Sequence, residues 1–403
     1  MKKTDFMIVG SGLCGLTCAL ELQRNDKDYI LIDGLDRVGG RVGSERKDGF
    51  ILDLGFQVYN TAYIFGNGVL DIDQLDFCTF KPGAAIYDGS KFNILSDPFK
   101  DPGNLLTNIF SNISTFSDKI KVLTLKNHLK NYSLKNDKNE DMSTLKYLRE
   151  RGFSDNFIDQ FFSPFFSGIF LESKLDTSSK FFKYVFSNFN SGSAVIPRMG
   201  MQEIPDQIYN KLDRNKVILG NMISSIGDDN IIKSDSGEMF TAGQIVLTGN
   251  SHTLKTSRKL KYNSVRCFYF SSTFEPEYSN YIHLFPFDDH INNIAVMSAI
   301  SHSYTPNFES LFSVSVLATS LENENLIFKL QNKLANIYGG NRLEYKFLKY
   351  FDLPSATTQQ LPGHFEYPKQ DSEAVHYAGD LTTVGSIDGA IESGLKTSKK
   401  LLA

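Results

Sequence analysis

Three glycines near the start of the chain have the spacing of a phosphate-binding turn. Gly10, Gly12 and Gly15 form G-x-G-x-x-G directly after the apolar run Phe6-Met7-Ile8-Val9. Such a run, ended by glycine, reads as a buried parallel strand. From Leu13 the apolar period becomes helical, with Leu13, Leu16, Thr17 and Leu20 on one face. In that setting Gly10 permits the turn out of the strand. Gly12 leaves room for a pyrophosphate against the backbone, and Gly15 lets helix and strand approach closely. The helix start adds unpaired N–H groups and the positive end of its dipole. A second apolar run, Asp28 to Asp33, ends on a carboxylate 18 residues beyond Gly15. An acid ~20 residues on is the group that accepts ribose hydroxyls, and it would repel a 2′-phosphate.

The residues that follow exceed what a nicotinamide site needs. The segment LIDGLDRVGGRV, Leu31 to Val42, resembles the second glycine motif of the flavin amine oxidase and phytoene desaturase superfamily. That resemblance implies FAD, with Gly39 and Gly40 letting the chain pass under the pyrophosphate and Arg41 approaching the cofactor. Leu13, Cys14 and Gly34 complete the cofactor contacts it implies at this end. Asp33 stands where the superfamily usually has Glu, and Leu35 where it often has Arg. Ile51 to Gly55 resembles the strand and turn that bring the backbone to the flavin ring. Gly55, Phe56 and Gln57 are therefore expected beside the flavin.

The far end of the chain carries a second match. An apolar strand, Val375 to Ala378, runs into Gly379-Asp380. A short loop then leads to a helix with Gly389, Ala390, Ser393 and Gly394 as small residues on one face. This resembles the C-terminal flavin motif of the same superfamily. It implies Gly379 and Asp380 at the pyrophosphate and ribitol, with Ser386, Ile387 and Gly389 at the pyrimidine side of the ring. Ile223, on a strand after the mid-chain crossover, is an implied adenine contact.

Composition sets the outer bounds. At 403 residues the chain is long enough for two domains. A net charge of −4 gives no electrostatic case for nucleic acid. The four cysteines show no metal spacing, Cys14 and Cys18 read as small core residues, and a reducing, cytoplasmic setting is expected. The opening MKKTDFMIVG looks superficially like a signal peptide, but Asp5 and the glycines interrupt it. No run approaches the roughly 18 apolar residues of a membrane span. Peripheral membrane association is left open. Asp288-Asp289-His290 reads as a surface turn rather than a metal site.

The 33 Phe and 18 Tyr gather most densely between Asn156 and Phe189. Helical core is the preferred reading there over the wall of a substrate tunnel. Ser154 or Asp155 would cap a helix. Lys81 to Leu95 reads as a hairpin turning at Tyr87–Ser90, and Asp97-Pro98 and Asp101-Pro102-Gly103 as a loop. Leu105 to Leu129 reads as helix, Lys216 to Ile226 as one strand, and Asp228 to Met239 as a hairpin. Gln244 to Thr248, Val265 to Ser271 and Ile294 to Ser301 read as strands, and Ser310 to Gly339 as largely helical.

The expected fold class is α/β: a Rossmann-like, glutathione reductase-type FAD-binding domain with an inserted α+β substrate domain. The first would comprise residues 1–66, 196–253 and 363–403, the second 67–195 and 254–362. The resemblance implies non-covalent FAD, since no cysteine follows Cys267 to form a late covalent link. It implies hydride removal from a C–H bond of an apolar, lipid- or isoprenoid-like substrate or of an amine. Flavin-dependent isomerisation and flavin binding without catalysis are the alternatives. The seven histidines are scattered and read as structural or exposed, so no catalytic residue is assigned, and no metal is expected.

Overall fold

A computed structural model describes residues 1–95, 115–255, 260–317, 322–366 and 372–403 of the chain. The apolar run after the N-terminus becomes the strand Lys2–Val9, central to a seven-stranded sheet. Tyr29–Ile32 and Met239–Thr248 flank it in parallel, and Val217–Ile218 lies outside Tyr29–Ile32. The long strand Met239–Thr248 has two partners on its other side. Its first residues pair antiparallel with Ile231–Ser234, which continues to Ile223–Ile226. Its last residues pair in parallel with Val375–Ala378. One sheet thus gathers strands from three separated parts of the sequence. Each central strand is covered on both faces, which is why it reads as a continuous apolar run.

The first helix, Leu13–Arg24, packs on the last, Ile387–Leu401. Gly394 makes this contact possible. A Cβ there would lie 2.5 Å from Cys14 O and 2.8 Å from Thr17 Cβ. Cys14 and Cys18 are buried in this layer, as their helical spacing predicts.

A second seven-stranded sheet runs Lys346–Thr358, Tyr262–Ser272, Ser310–Val316, Ile291–Val296, Ile282–Leu284, Ala84–Tyr87, Phe92–Leu95. Its pleat divides two cores. Cys267 and Tyr269 join a cluster with residues around the first sheet, whereas Phe268 and Phe270 face helix Asn323–Tyr338 through Leu326, Leu330 and Leu334. Three sequence expectations are corrected by this sheet and its neighbour. Ser310–Val316 is a strand, and only Asn323–Tyr338 of the expected helical span is a described helix. SLFSVSV is buried on both faces between two partner strands, and its Phe312-Ser313-Val314-Ser315-Val316 alternation has the period of a strand, which the helical reading of the longer span passes over. The strand begun at Ile291 stops at Val296, and Met297–Ile300 is a helical turn. Lys216 to Ile226 is likewise two short strands, Val217–Ile218 and Ile223–Ile226, on opposite edges of the first sheet.

The Phe-rich stretch forms a helical layer: Asp155–Phe157, a π-helical turn Ile158–Phe162, Ser163–Phe170 and Ser179–Ser191. Ser154 caps the first of these through Phe157 N. Phe162, Phe166, Phe170 and Phe182 are buried core, while Phe161, Phe165 and Phe189 are partly exposed. The Lys81–Leu95 hairpin is present as Ala84–Tyr87 and Phe92–Leu95. The expected loop at Asp97 to Gly103 and the first half of helix Leu105–Leu129 lie outside the described residues, whose helix is Phe116–His128. Asp288 accepts from the amides of His290 and Ile291 and pairs with Lys333, as a turn residue does.

The packing of the first helix on the last gives a stability test. Gly394→Ala is expected to cost about 1–3 kcal/mol by overpacking, read as a lowered denaturant midpoint. Gly68→Ala is the control, since a Cβ there meets nothing within 4 Å. It should be neutral or gain up to about 1 kcal/mol. Equal midpoints for the two variants would refute the described helix contact.

Candidate functional site

The turn after the first strand is braced on one side and open on the other. Gly10 (φ +108°) donates to Ile32 O at 2.8 Å, and a Cβ there would sit 2.2 Å from Thr248 Oγ1. A Cβ on Gly15 would fall 1.9 Å from Gly10 O. Gly12 differs, because its Cβ would meet only Gly39 O, at 4.0 Å. Gly12 is also the N-cap of helix Leu13–Arg24, with no side-chain cap and no acid in the first turn. The amides at that helix start therefore face open space and suit an anion.

Asp33 lies at the end of the neighbouring strand, half-buried. Its Oδ2 accepts from Ser11 N at 2.6 Å and Ser11 Oγ at 2.9 Å, and its Oδ1 from Leu35 N at 2.8 Å. An ionised carboxylate has about four acceptor positions, so capacity remains for hydroxyl donors. Gly34, beside it, packs under Met222, whose Cβ and Cε would both lie 3.0 Å from an added Cβ. Ile223 is buried in the adjoining cluster with Val9 and Ile32.

The two arginines of the second motif do different work. Arg37 donates to Gly40 O at 2.6 Å and Val38 O at 3.1 Å, so it shapes the loop. Gly39 N donates to Ser11 O at 2.9 Å, and a Cβ on Gly40 would be 3.4 Å from Gly12 Cα. The two glycine motifs are thus in contact. Arg41 instead reaches the other end of the chain, donating to Asp380 Oδ1 at 2.5 Å. Its side chain keeps 39% exposure against 7% for Asp380. Burial draws the Arg41 guanidinium down, but the Asp380 carboxylate more than reverses this and holds it above its usual range. Tyr262 stands with its ring centroid 5.9 Å from the guanidinium carbon.

The C-terminal loop is fixed from beneath. Gly379 N donates to Ser393 Oγ at 2.8 Å. Gln360, 1% exposed, donates to Thr383 O at 3.0 Å and accepts from Gly385 N at 2.9 Å. Ser386 caps the last helix through Gly389 N at 2.9 Å, so that amide is engaged within the chain. A Cβ on Gly389 would lie 2.1 Å from Val384 O, which makes its smallness a requirement of the loop. Ile387 is partly buried against the core of the first sheet. Asp388, held above the usual carboxylate range by burial, accepts from Gly66 N at 2.8 Å.

Gly55 (φ +85°), Phe56 and Gln57 follow the strand Phe50–Asp53 and reach the Arg41 loop. Gln57 donates to Arg41 O at 2.8 Å and Leu54 O at 2.7 Å, and its Oε1 is buried with no protein partner. Phe56 meets Phe80 edge-on at 5.8 Å. The sites expected from both ends of the sequence therefore meet across Arg41. Ser11, Arg37, Thr248, Gln360 and Tyr262 also build this region. Spacing does not encode them, because Ser11, Arg37, Thr248 and Gln360 act through hydrogen bonds that include backbone groups and Tyr262 through its ring beside Arg41.

Comparison with known proteins follows this geometry. The family model described as flavin containing amine oxidoreductase matches residues 13–402. Curated relatives align over short stretches only, between 7% and 13% of their lengths. One is 4,4'-diaponeurosporene oxygenase of Staphylococcus haemolyticus, 34% identical over 67 residues, 17% of this chain. Solved structures match along nearly the whole chain. Putrescine oxidase bound to putrescine superposes with TM-score 0.73 at 14% identity, covering 99% of each chain. Reduced UDP-galactopyranose mutase gives TM-score 0.74 at 16% identity, covering 99% of this chain and 95% of that one. Among the described residues no helix is long and apolar enough to cross a membrane. With its family model running almost end to end through a site of this form, the chain belongs to the flavin-containing amine oxidoreductases and is an FAD-dependent oxidoreductase.

Proposed function

We propose that the enzyme binds FAD non-covalently across the Arg41–Asp380 seam and oxidises a C–H bond of a small, apolar or amine substrate. The observation that carries this reading is the meeting of both terminal motifs at one ion pair, beside the open backbone of Gly12. In it, the amides at the start of helix Leu13–Arg24 and the free edge of Arg41 hold the pyrophosphate. Asp33 takes the ribose hydroxyls, with Ile223 and Gly34 alongside the adenosine. Gly55, Phe56 and Gln57 lie by the ring on one side, and the Ser386–Gly389 helix start on the other. The bound flavin supplies the redox chemistry by accepting a hydride at N5. The chain's own residues bind, orient and exclude water.

The same reading divides the chain as expected, with residues 1–66, 196–253 and 363–403 forming the cofactor domain and 67–195 and 254–362 the substrate domain. The three-part assembly of the first sheet supports it. An apolar substrate taken by a dehydrogenase or desaturase is preferred over an amine taken by an oxidase. The partly exposed rings of Phe161, Phe165 and Phe189 in the helical layer favour it. Covalent attachment is disfavoured because burial pushes the Cys14 and Cys267 thiols up to about 12, far from the reactive thiolate.

Three measurements test this reading. Acid precipitation of the yellow protein should leave all flavin in the supernatant, and flavin retained by the pellet would refute non-covalent binding. Arg41→Ala should raise the Kd for FAD about 10- to 100-fold, the worth of one charge-assisted contact. An unchanged Kd, followed by flavin fluorescence on titrating apoprotein, removes Arg41 from the site. Photoreduced enzyme mixed with aerated buffer should regain its oxidised band slowly. Return within the mixing time would sink the dehydrogenase preference and put amines first as substrates.

A further inference from the structure

Asp53 is fully buried and precedes the Leu54–Gln57 turn. Its carboxylate gathers donors from three separate segments. Oδ1 accepts from Ser44 Oγ at 2.6 Å and Met201 N at 3.0 Å, and Oδ2 from Tyr304 Oη at 2.8 Å. Its carbonyl accepts from Tyr269 Oη at 2.9 Å and from Gly55 N at 2.8 Å. One residue therefore ties the hairpin Ser44–Asp53, the crossover at Met201 and two tyrosines around the second sheet to the turn expected beside the flavin. A caesura of this kind in the core normally carries an amide or a paired charge. Here a hydroxyl, an amide and a phenol, all neutral, hold a carboxylate. Burial pushes it up to about 6, against the pull of those three donors.

We propose that Asp53 is a positioning residue for the cofactor, which locks the Leu54–Gln57 turn to the second sheet and sets a buried negative charge behind it. A charge there opposes the addition of electrons to a nearby flavin, so the ionised acid lowers the flavin's midpoint potential. The other titratable groups of the cluster stay neutral in this range. Burial raises the Cys267 thiol to about 12 and holds the Tyr269 and Tyr304 phenols well above their usual value. Protonation of Asp53 would remove the effect. The inference rests on the functional reading that the Gly55–Gln57 turn lies beside FAD.

The test uses the FAD-loaded protein and Asp53→Asn, whose amide has nearly the same shape and can still accept from Ser44 and Met201. Midpoint potentials are measured against reference dyes across pH. The variant should have the higher potential at pH well above 6, with the gap closing well below 6. Superimposable curves overturn the inference while leaving FAD binding intact. If Asp53→Asn loses its flavin, Tyr304→Phe keeps the acid but removes a donor to its charged form. The pH at which the potential steepens should then move upward, and an unmoved profile overturns the inference equally. A wild-type protein that takes up no FAD overturns the functional reading itself.

Discussion

A buried carboxylate holding a half-exposed guanidinium closes this molecule on itself. Asp380 and Arg41 are 339 residues apart in sequence and 2.5 Å apart in space. Removing a carboxylate from water is costly unless a partner of opposite charge is fixed beside it. Arg41 is that partner, and it is held by more than the ion pair. Its carbonyl accepts from Gln57, its guanidinium stands by the ring of Tyr262, and its own loop is shaped by Arg37. The guanidinium has five N–H donors, and only one contact to Asp380 is made. The remaining donors point to why the pair sits where it does. A cation that is anchored by one edge and free along another suits a diphosphate, whose charge the helix start at Gly12 also attracts.

The two sheets divide the labour around this seam. The first is parallel at its centre and offers the strand ends and turns that surround a nucleotide. The second is a wide, mostly antiparallel sheet whose two faces serve different cores. Through Cys267 and Tyr269 it backs the site, and through Phe268 and Phe270 it is supported by helix Asn323–Tyr338. The Phe-rich helical layer is a separate cluster, tied by Asn263 Nδ2 to Phe170 O at 2.8 Å and by Asn292 Nδ2 to Pro164 O at 3.3 Å. These ties supplement direct apolar packing, since Ala84, Ile86 and Leu284 of the second sheet belong to the same buried cluster as the Phe-rich helices.

Both ends of the site were legible in the sequence because they depend on glycine, whose lack of a side chain is visible as spacing. Gly15 packs on Gly10, and Gly39 and Gly40 lie against Gly12, so the two N-terminal motifs are in contact. What spacing could not reveal are long-range hydrogen bonds from ordinary residues. Nothing around Gln360 announces that it fixes the Thr383–Gly385 loop, and nothing around Ser11 announces its bonds to Asp33. The strand Ser310–Val316 escaped for the opposite reason. Its Phe312-Ser313-Val314-Ser315-Val316 alternation is visible locally but merges with the helical period that begins beyond it, and antiparallel pairing with Tyr262–Ser272 and Ile291–Val296 decided the matter. The helical content of the Phe-rich stretch was legible, because its rings recur at helical spacing and Ser154 caps its start.

The displaced ionisations in the structure belong to its frame. Asp388 has a carboxyl raised by burial, yet it accepts from Gly66 N and lies 3.4 Å from Tyr184 Oη at the start of the last helix. Asp53 holds three segments together, and the raised thiols of Cys14 and Cys267 sit in packed layers. A general base needs a free lone pair aimed at substrate as well as a shifted pKa. These groups have the shift, but their hydrogen bonds run into the protein. That pattern suits chemistry in which the cofactor takes both electrons and the protein contributes position and field. It also locates selectivity away from acid–base residues.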